Sequence, residues 1–256
     1  SKLQRIRKAL AEQQADGLLV SALDEIAWTL NLRGNDVHCN PVFVAYLLIE
    51  TTRATLFVDS DKVTAEVQDY LEKEGIATKD YNKLLSALQG YDGKALLVNS
   101  NEMSHKVYNI INSERAVTGT SPIPEMKAVK NETEIEGFKH AMVRDGVAMV
   151  KFLRWLKPAV KAGGQTEISL EQKLTSLRAE LDLFRGISFD TIVGYEAHGA
   201  IVHYEATPQT DIPVEPHGLV LIDSGAQYQD GTTDITRTIA LGEITEEQRH
   251  IYTLVL

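Results

Sequence analysis

The chain has 256 residues, 43% of them apolar, which is enough for one large or two ordinary packed domains. Its 26 basic and 36 acidic side chains give a net charge of −10, the wrong sign for gripping phosphate backbones, so nucleic acid is excluded as a partner. No stretch approaches the roughly 18 apolar residues of a membrane span, and the single cysteine, Cys39, cannot form an internal disulfide, which fits a reducing, cytoplasmic compartment.

At the N-terminus, "SKLQRIRKALAEQQADG" places Leu3, Ile6 and Leu10 on one helical face, with Gly17 as the expected stop. Its scattered charges are unlike a signal peptide, and the missing initiator methionine points to a processed or cut end. "LLV" at 18–20 reads as a short buried strand, and "LDEIAWTLNLRG" as a short helix stopped by Gly34. Cys39 itself reads as a small buried hydrophobe, with no His or Cys spacing around it that marks a metal site. "PVFVAYLLIE" and "ATLFVD" form a hairpin across "TTR". "SDKVTAEVQDYLEKEG" is a helix with Ser60 as N-cap and Gly75 as stop, carrying Val63, Val67, Tyr70 and Leu71 on one side. "ALLVN" and "SHKVYNIIN" add a strand and a helix. Strands alternating with helices predict an α/β layered domain over 1–124.

In "TGTSPIPEMKAVKN", Pro122 and Pro124 are expected to interrupt regular structure, and the domain boundary is placed near 124. A much longer helix follows, capped by Asn131 with Glu132 and Glu134 in its first turn. Its apolar stripe is Ile135, Phe138, Met142, Met149, Leu153 and Leu156, and Pro158 is its expected end. The helix "QTEISLEQKLTSLRAEL" comes next, then the strands "ISFDTIVG", "AIVHYEAT", "GLVLIDSG" and "TTDITRTIAL". Helices first and strands after predict an α+β domain over 125–256, with helices on a curved antiparallel sheet. "TEEQRHIYTLVL" begins as a helix capped by Thr245 but carries no stop signal, so this second domain reads as truncated.

Asp223 and Asp234 stand out in the run "LVLIDSGAQYQDGTTDITRTIALG". Taken singly, each reads better as a turn or solvated residue. With Asp230-Gly231 as the turn, Asp234 would face Gln227, on the same face as Asp223 but about 13 Å along the strand. A loop centred on Tyr228-Gln229, a bulge or a curled sheet would bring the two together. Crowded carboxylates repel unless a cation sits between them. Hard oxygen ligands suit Mn²⁺, Zn²⁺, Fe²⁺ or Co²⁺, and a pair of such ions can hold a bridging hydroxide and polarise a carbonyl.

"LIDSGAQYQDGTTDITRT" resembles the first metal-ligand hairpin of the Xaa-Pro aminopeptidase (aminopeptidase P) branch of the pita-bread metallopeptidases. "GAIVHYEAT" is similar to that family's substrate-histidine segment, and "KAVKNETEIEGFKHAMVRDGVAMVKFLRWL" to the helix opening its catalytic domain. "DEIAWTLNLRGNDVHCNPVFVAY" resembles the middle domain of the three-domain, cytosolic-type enzymes. The resemblance implies a creatinase/ribonuclease H-like α/β domain followed by a truncated α+β pita-bread domain. It makes Asp223 a ligand of one metal, Asp234 a bridge between two, and His203 a hydrogen-bond partner of the scissile region. Thr236 and Arg237 match residues that support the ligands, with ordinary exposed strand positions equally open for both. His198 stands where many relatives carry Asn and is given no catalytic role, while Trp28, Arg33 and Asp36 match as fold or interface residues. The implied cofactors are two divalent ions, manganese first, with zinc, cobalt or iron as alternatives. The implied substrates are peptides with proline in second position, whose tertiary amide lacks the N–H that an ordinary peptidase holds. A homodimer is implied for the full-length enzyme. The family's other ligands, one His and two Glu, would follow residue 256, so the chain alone is expected to be inactive. A prolidase-like dipeptidase and a non-catalytic peptide-binding module on the same fold remain as alternatives.

Overall fold

The computed structural model describes residues 1–111 and 114–256, so the last residue of the expected helix "SHKVYNIIN", Asn112, lies outside the described residues. Helix α1 (Lys2–Glu12) starts at Ser1, whose side chain and that of Gln4 cap each other's backbone, and it buries Leu3, Ile6 and Leu10. It stops before Gly17, because Gln14 already adopts a left-handed φ of 58°. Gly17 instead opens strand β1 (Gly17–Val20), where a β-carbon would lie 2.3 Å from the Tyr91 hydroxyl. Helix α2 (Leu23–Leu30) likewise ends early, at Asn31 with φ 52° rather than at Gly34. Gly34 serves a close approach, since a β-carbon there would meet Phe43 Cβ at 2.7 Å.

Strands β2 (Ala45–Glu50) and β3 (Ala54–Val58) form the expected hairpin. Helix α3 (Ala65–Lys73) is capped by Thr64, not Ser60; residues Ser60–Lys62 make a separate 3₁₀ turn under the Asp59 carboxylate. The remaining elements are β4 (Ile76–Asp80), α4 (Leu84–Gln89), β5 (Leu96–Val98), α5 (His105–Ile110), β6 (Ala116–Thr118) and α6 (Ile123–Ala128). Pro122 and Pro124 do not interrupt structure but start α6, because a missing N–H costs nothing in the first turn of a helix. The six strands run in the order β4-β3-β2-β1-β5-β6, with parallel and antiparallel neighbours. Alternate residues enter opposite cores: Leu18, Val20, Leu47 and Ile49 pack on one face, Leu19, Leu48, Phe57 and Leu96 on the other. A sheet covered on both faces is an α/β layered domain, as the alternation predicts.

Contacts divide the chain into two compact units, Ser1–Val37 with Pro41–Lys130, and His38–Asn40 with Asn131–Leu256. The second opens with α7 (Glu132–Ala162), whose capping box pairs Asn131 with Glu134. The helix runs through Pro158 to Gly163 at φ 85°, since the stripe Phe152, Leu156 and Val160 is fully buried and outweighs one lost backbone bond. Ile135, Phe138 and Met142 are exposed, contrary to expectation; the buried positions in that half are Ala141, Asp145 and Ala148. Small residues are needed there because Gly231 approaches Ala141 so closely that an added β-carbon would sit 3.0 Å away.

Helix α8 (Glu167–Ala179) follows, then β7 (Phe184–Ile187), β8 (Ile192–Tyr195), β9 (Leu219–Ser224), β10 (Ala226–Tyr228), β11 (Gly231–Thr232), β12 (Ile235–Ala240) and α9 (Glu246–Val255). Two three-stranded antiparallel sheets result, β12-β9-β8 and β11-β10-β7. "AIVHYEAT" is not a strand: Glu196–Ala200 is a 3₁₀ turn, and residues 201–207 have no ladder because Tyr204 turns inward to a buried acid.

Arg178 and Asp145 are both fully buried and pair through two bonds of 2.7 and 2.9 Å, and the Tyr228 hydroxyl donates to the same carboxylate at 2.9 Å. Removing either charge strands the other. Asp145→Ala and Arg178→Ala should each lower the unfolding free energy by about 3–5 kcal/mol, whereas Tyr228→Phe should cost only about 1–2 kcal/mol. Urea unfolding of the three variants checks the order.

Candidate metal centre

The entry to β9 is fixed by Glu196, whose Oε1 accepts the Leu219 N–H at 2.9 Å. Gly218 beside it has φ 67°, and a β-carbon there would fall 1.4 Å from the same oxygen. From that anchor the strand alternates: Val220, Ile222 and Ser224 are buried, while Leu221 and Asp223 face the other way, half-exposed.

The return strand pairs Tyr228 with Gly231, Gln227 with Thr232, Ser224 with Ile235 and Asp223 with Thr236. The turn is therefore Gln229-Asp230, not Asp230-Gly231. Gly231 is unavailable as a turn residue because it packs on α7, and Asp230 is clamped by Arg144 through bonds of 3.0 and 3.1 Å. This register sets Asp234 opposite Gly225 and diagonal to Asp223, on the same face. Diagonal neighbours lie about 7–8 Å apart along the backbone, against the 13 Å or so that the other turn implied. Gly225 brings the strands closer still: a β-carbon there would meet the Thr233 carbonyl oxygen at 2.0 Å and Ser188 Oγ at 2.2 Å.

The two carboxylates interact. Asp234 is held above the ordinary aspartate value, first by burial, then by the Asp223 charge and by the hydrogen bond it can donate to Asp223 only when protonated. Thr236 donates its hydroxyl to Asp223 Oδ1 at 2.8 Å. Among the described residues neither aspartate has an ion pair with Lys, Arg or His. Two hard oxygen donors crowded together without a basic partner fit a divalent cation.

Among the described residues neither Arg237 nor His203 shares a hydrogen bond or ion pair with either aspartate. Arg237 falls on the opposite face by strand parity, and its Nη1 donates to the Thr236 carbonyl at 2.7 Å. His203 is exposed in the loop before β9, with φ 56°, and makes no hydrogen bond or ion pair among the described residues. Its loop is pinned by Glu167, a fully buried acid that the sequence did not mark. Glu167 accepts the Tyr195 N–H at 2.8 Å, His198 Nδ1 at 3.0 Å and the Tyr204 hydroxyl at 2.9 Å. His198 and Tyr204 bracket His203, so the buried acid holds the loop from both sides. Thr166 caps α8 and so puts Glu167 in its first turn, but nothing local announces that acid's burial. Trp28, Arg33 and Asp36 make local contacts: Trp28 is buried, Arg33 donates to the Ala27 and Leu32 carbonyls, and Asp36 accepts from Val44 and Lys62. Cys39 is half-exposed rather than a core residue, and lies with His38 and Asp190.

Residues 1–134 match the model of the creatinase/prolidase N-terminal domain, and residues 136–256 that of metallopeptidase family M24. The chain belongs to the creatinase/prolidase family. Within that family it is 41% identical over 261 residues to Xaa-Pro aminopeptidase 1 of Dictyostelium discoideum, covering all of this chain and 41% of the relative. A probable Xaa-Pro aminopeptidase P of Botryotinia fuckeliana is 39% identical over 272 residues, again with 41% of its length covered. The chain thus spans about two fifths of these relatives. The X-prolyl aminopeptidase of Caenorhabditis elegans, described as a cytosolic enzyme with a di-nuclear active site, superposes with a TM-score of 0.90 at 29% identity over 96% of this chain and 42% of that one. An Xaa-Pro dipeptidase of Bacillus anthracis shares the fold at a TM-score of 0.79 and 22% identity, covering 99% of this chain and 68% of that one. The fold is therefore a creatinase-type domain followed by a pita-bread domain.

The raised Asp234 has a consequence for stability without metal. A carboxyl that keeps its proton to higher pH when folded loses stability as pH rises through its folded value, and pays nothing below its unfolded value near 3.8. In chelator, Asp234→Asn should therefore have a higher urea midpoint than the parent at neutral pH, with the gap closing below about pH 4. Added Mn²⁺ should reverse the order, because only the parent gains from binding the ion.

Proposed function

We propose that these 256 residues serve a proline-specific aminopeptidase, as its middle domain and the front of its catalytic domain, removing the residue that precedes proline at a peptide N-terminus. The observation that carries this reading is the Asp223–Asp234 pair, crowded on one sheet face with no basic partner among the described residues. Asp223 would hold one divalent ion and Asp234 would bridge two, with manganese as the first candidate. When bound, the ions would supply Lewis acidity at the scissile carbonyl. Thr236 occupies one lone pair of Asp223 and fixes its rotamer, leaving the other oxygen for the ion. Arg237, bonded to the Thr236 backbone, would stiffen the same strand.

His203 would present its imidazole to the scissile region and donate a hydrogen bond to the oxygen that gains charge. Its loop needs no strand to be held, because Glu167 secures it through His198 and Tyr204. Such a site suits an Xaa-Pro bond, which offers no N–H to grip and a fixed φ to recognise. A cytoplasmic homodimer is the proposed setting. No helix among the described residues is long and apolar enough to cross a membrane.

Three measurements test this. The chain by itself should not hydrolyse an Xaa-Pro peptide with Mn²⁺ present. In the protein carrying the rest of the relatives' length, Asp223→Asn should lower bound metal and abolish turnover. His203→Ala there should leave metal content unchanged and lower kcat by about 100–1,000-fold. Full cleavage of Xaa-Pro substrates by Asp223→Asn would refute the assignment.

A further inference from the structure

A second group of donor side chains converges among the described residues: His38, Cys39 and Asp190, whose ligating atoms all lie within 4.8 Å of one another. All three belong to the second compact unit. His38 and Cys39 occupy a turn in which Cys39 takes a left-handed φ of 57°, an uncommon conformation for a residue with a β-carbon. Consecutive side chains usually point apart, yet both reach Asp190 here. The turn is clamped by the Gln227 side-chain amide, which donates to the Cys39 carbonyl at 3.1 Å. His38 Nε2 meets Asp190 Oδ1 at 2.7 Å.

The surroundings are acidic. Glu205 acts on His38, and Asp190 and Glu205 both act on the half-buried Glu171. Among the described residues none of these three carboxylates has a Lys or Arg ion partner. A half-buried acid facing two others gives this corner a negative potential, and His38 pairs with one of them.

We propose that His38 Nε2, Cys39 Sγ and an Asp190 oxygen bind one zinc-class divalent cation, with a fourth position open to water. One imidazole, one thiolate and one carboxylate form a borderline donor set suited to tetrahedral Zn²⁺ or Co²⁺. The Asp223–Asp234 pair offers no sulfur and suits harder ions. Bond lengths of about 2.0–2.3 Å place tetrahedral donors roughly 3.3–3.8 Å apart, so the ion replaces the direct His38–Asp190 bond and opens it by about half an ångström. The thiol gives its proton to solvent on ligation.

Cobalt(II) titration of the protein tests this, because a thiolate-to-cobalt charge-transfer band can come only from Cys39, the single cysteine. The band should saturate at one equivalent per chain and vanish in Cys39→Ser. His38→Ala and Asp190→Ala should each weaken binding by about tenfold or more. Asp223→Asn/Asp234→Asn should leave the band in place. All are surface or isosteric changes, and circular dichroism confirms that each variant is folded. No charge-transfer band, or unchanged affinity in either His38→Ala or Asp190→Ala, overturns the site.

Discussion

The buried pair between Asp145 and Arg178 is the constraint on which the second unit turns. Two charges removed from water each cost several kcal/mol, and their attraction repays this only when geometry and hydrogen bonding are nearly complete. Here Asp145 comes from α7, Arg178 from α8 and the third partner, Tyr228, from β10. The pair therefore works only if both helices and the hairpin arrive together. Arg178 Nη1 has no partner among the described residues, so the arrangement is not one of maximal stability. An apolar cluster of similar volume could hold the helices equally well but would make no directional bond to the hairpin. The neighbouring residue repeats the device: Arg144 takes Asp230 in the turn and lies 5.2 Å from the centre of the Tyr228 ring.

Register is what the proposed metal centre depends on. A slip of one residue would send Asp234 to the other face of the sheet. With Tyr228 and Asp230 tied to α7, and Gly231 packed against Ala141, the hairpin has one alignment, and it leaves Asp234 diagonal to Asp223. The closeness of the two acids is thus a consequence of contacts made on the core face, several residues away.

Much of this was legible in the sequence. Parity put Asp223 and Asp234 on one face for both turns weighed, Asp230-Gly231 and Tyr228-Gln229. Caps at Asn131 and Thr245 were local signals and were read correctly. What failed were signals whose meaning depends on distant partners. Gly17, Gly34 and Gly231 look like stops or turns, but each serves a close approach by residues of another segment. Pro158 looks like a helix end until the burial of Val160 is known. Ile135, Phe138 and Met142 fit a helical stripe, yet the side of α7 that meets the hairpin requires small residues instead. His38 and Cys39 lie some 150 residues from Asp190, so no local spacing could have linked them.

The acids of this unit show how a structural carboxylate differs from the two proposed as metal ligands. Asp145 and Glu167 are both fully buried, and each has three or more donors directed at it. Burial is offset at those positions, and the result is rigidity: one fixes the hairpin, the other the loop that carries His203. Asp223 and Asp234 are less buried but worse satisfied, with one hydroxyl between them and each other's charge as the main neighbour. Depth of burial would place the proposed ligand pair last among these four acids. The shortage of donors places it first, because a carboxylate left without partners by an otherwise well-satisfied fold is one that a cation can complete.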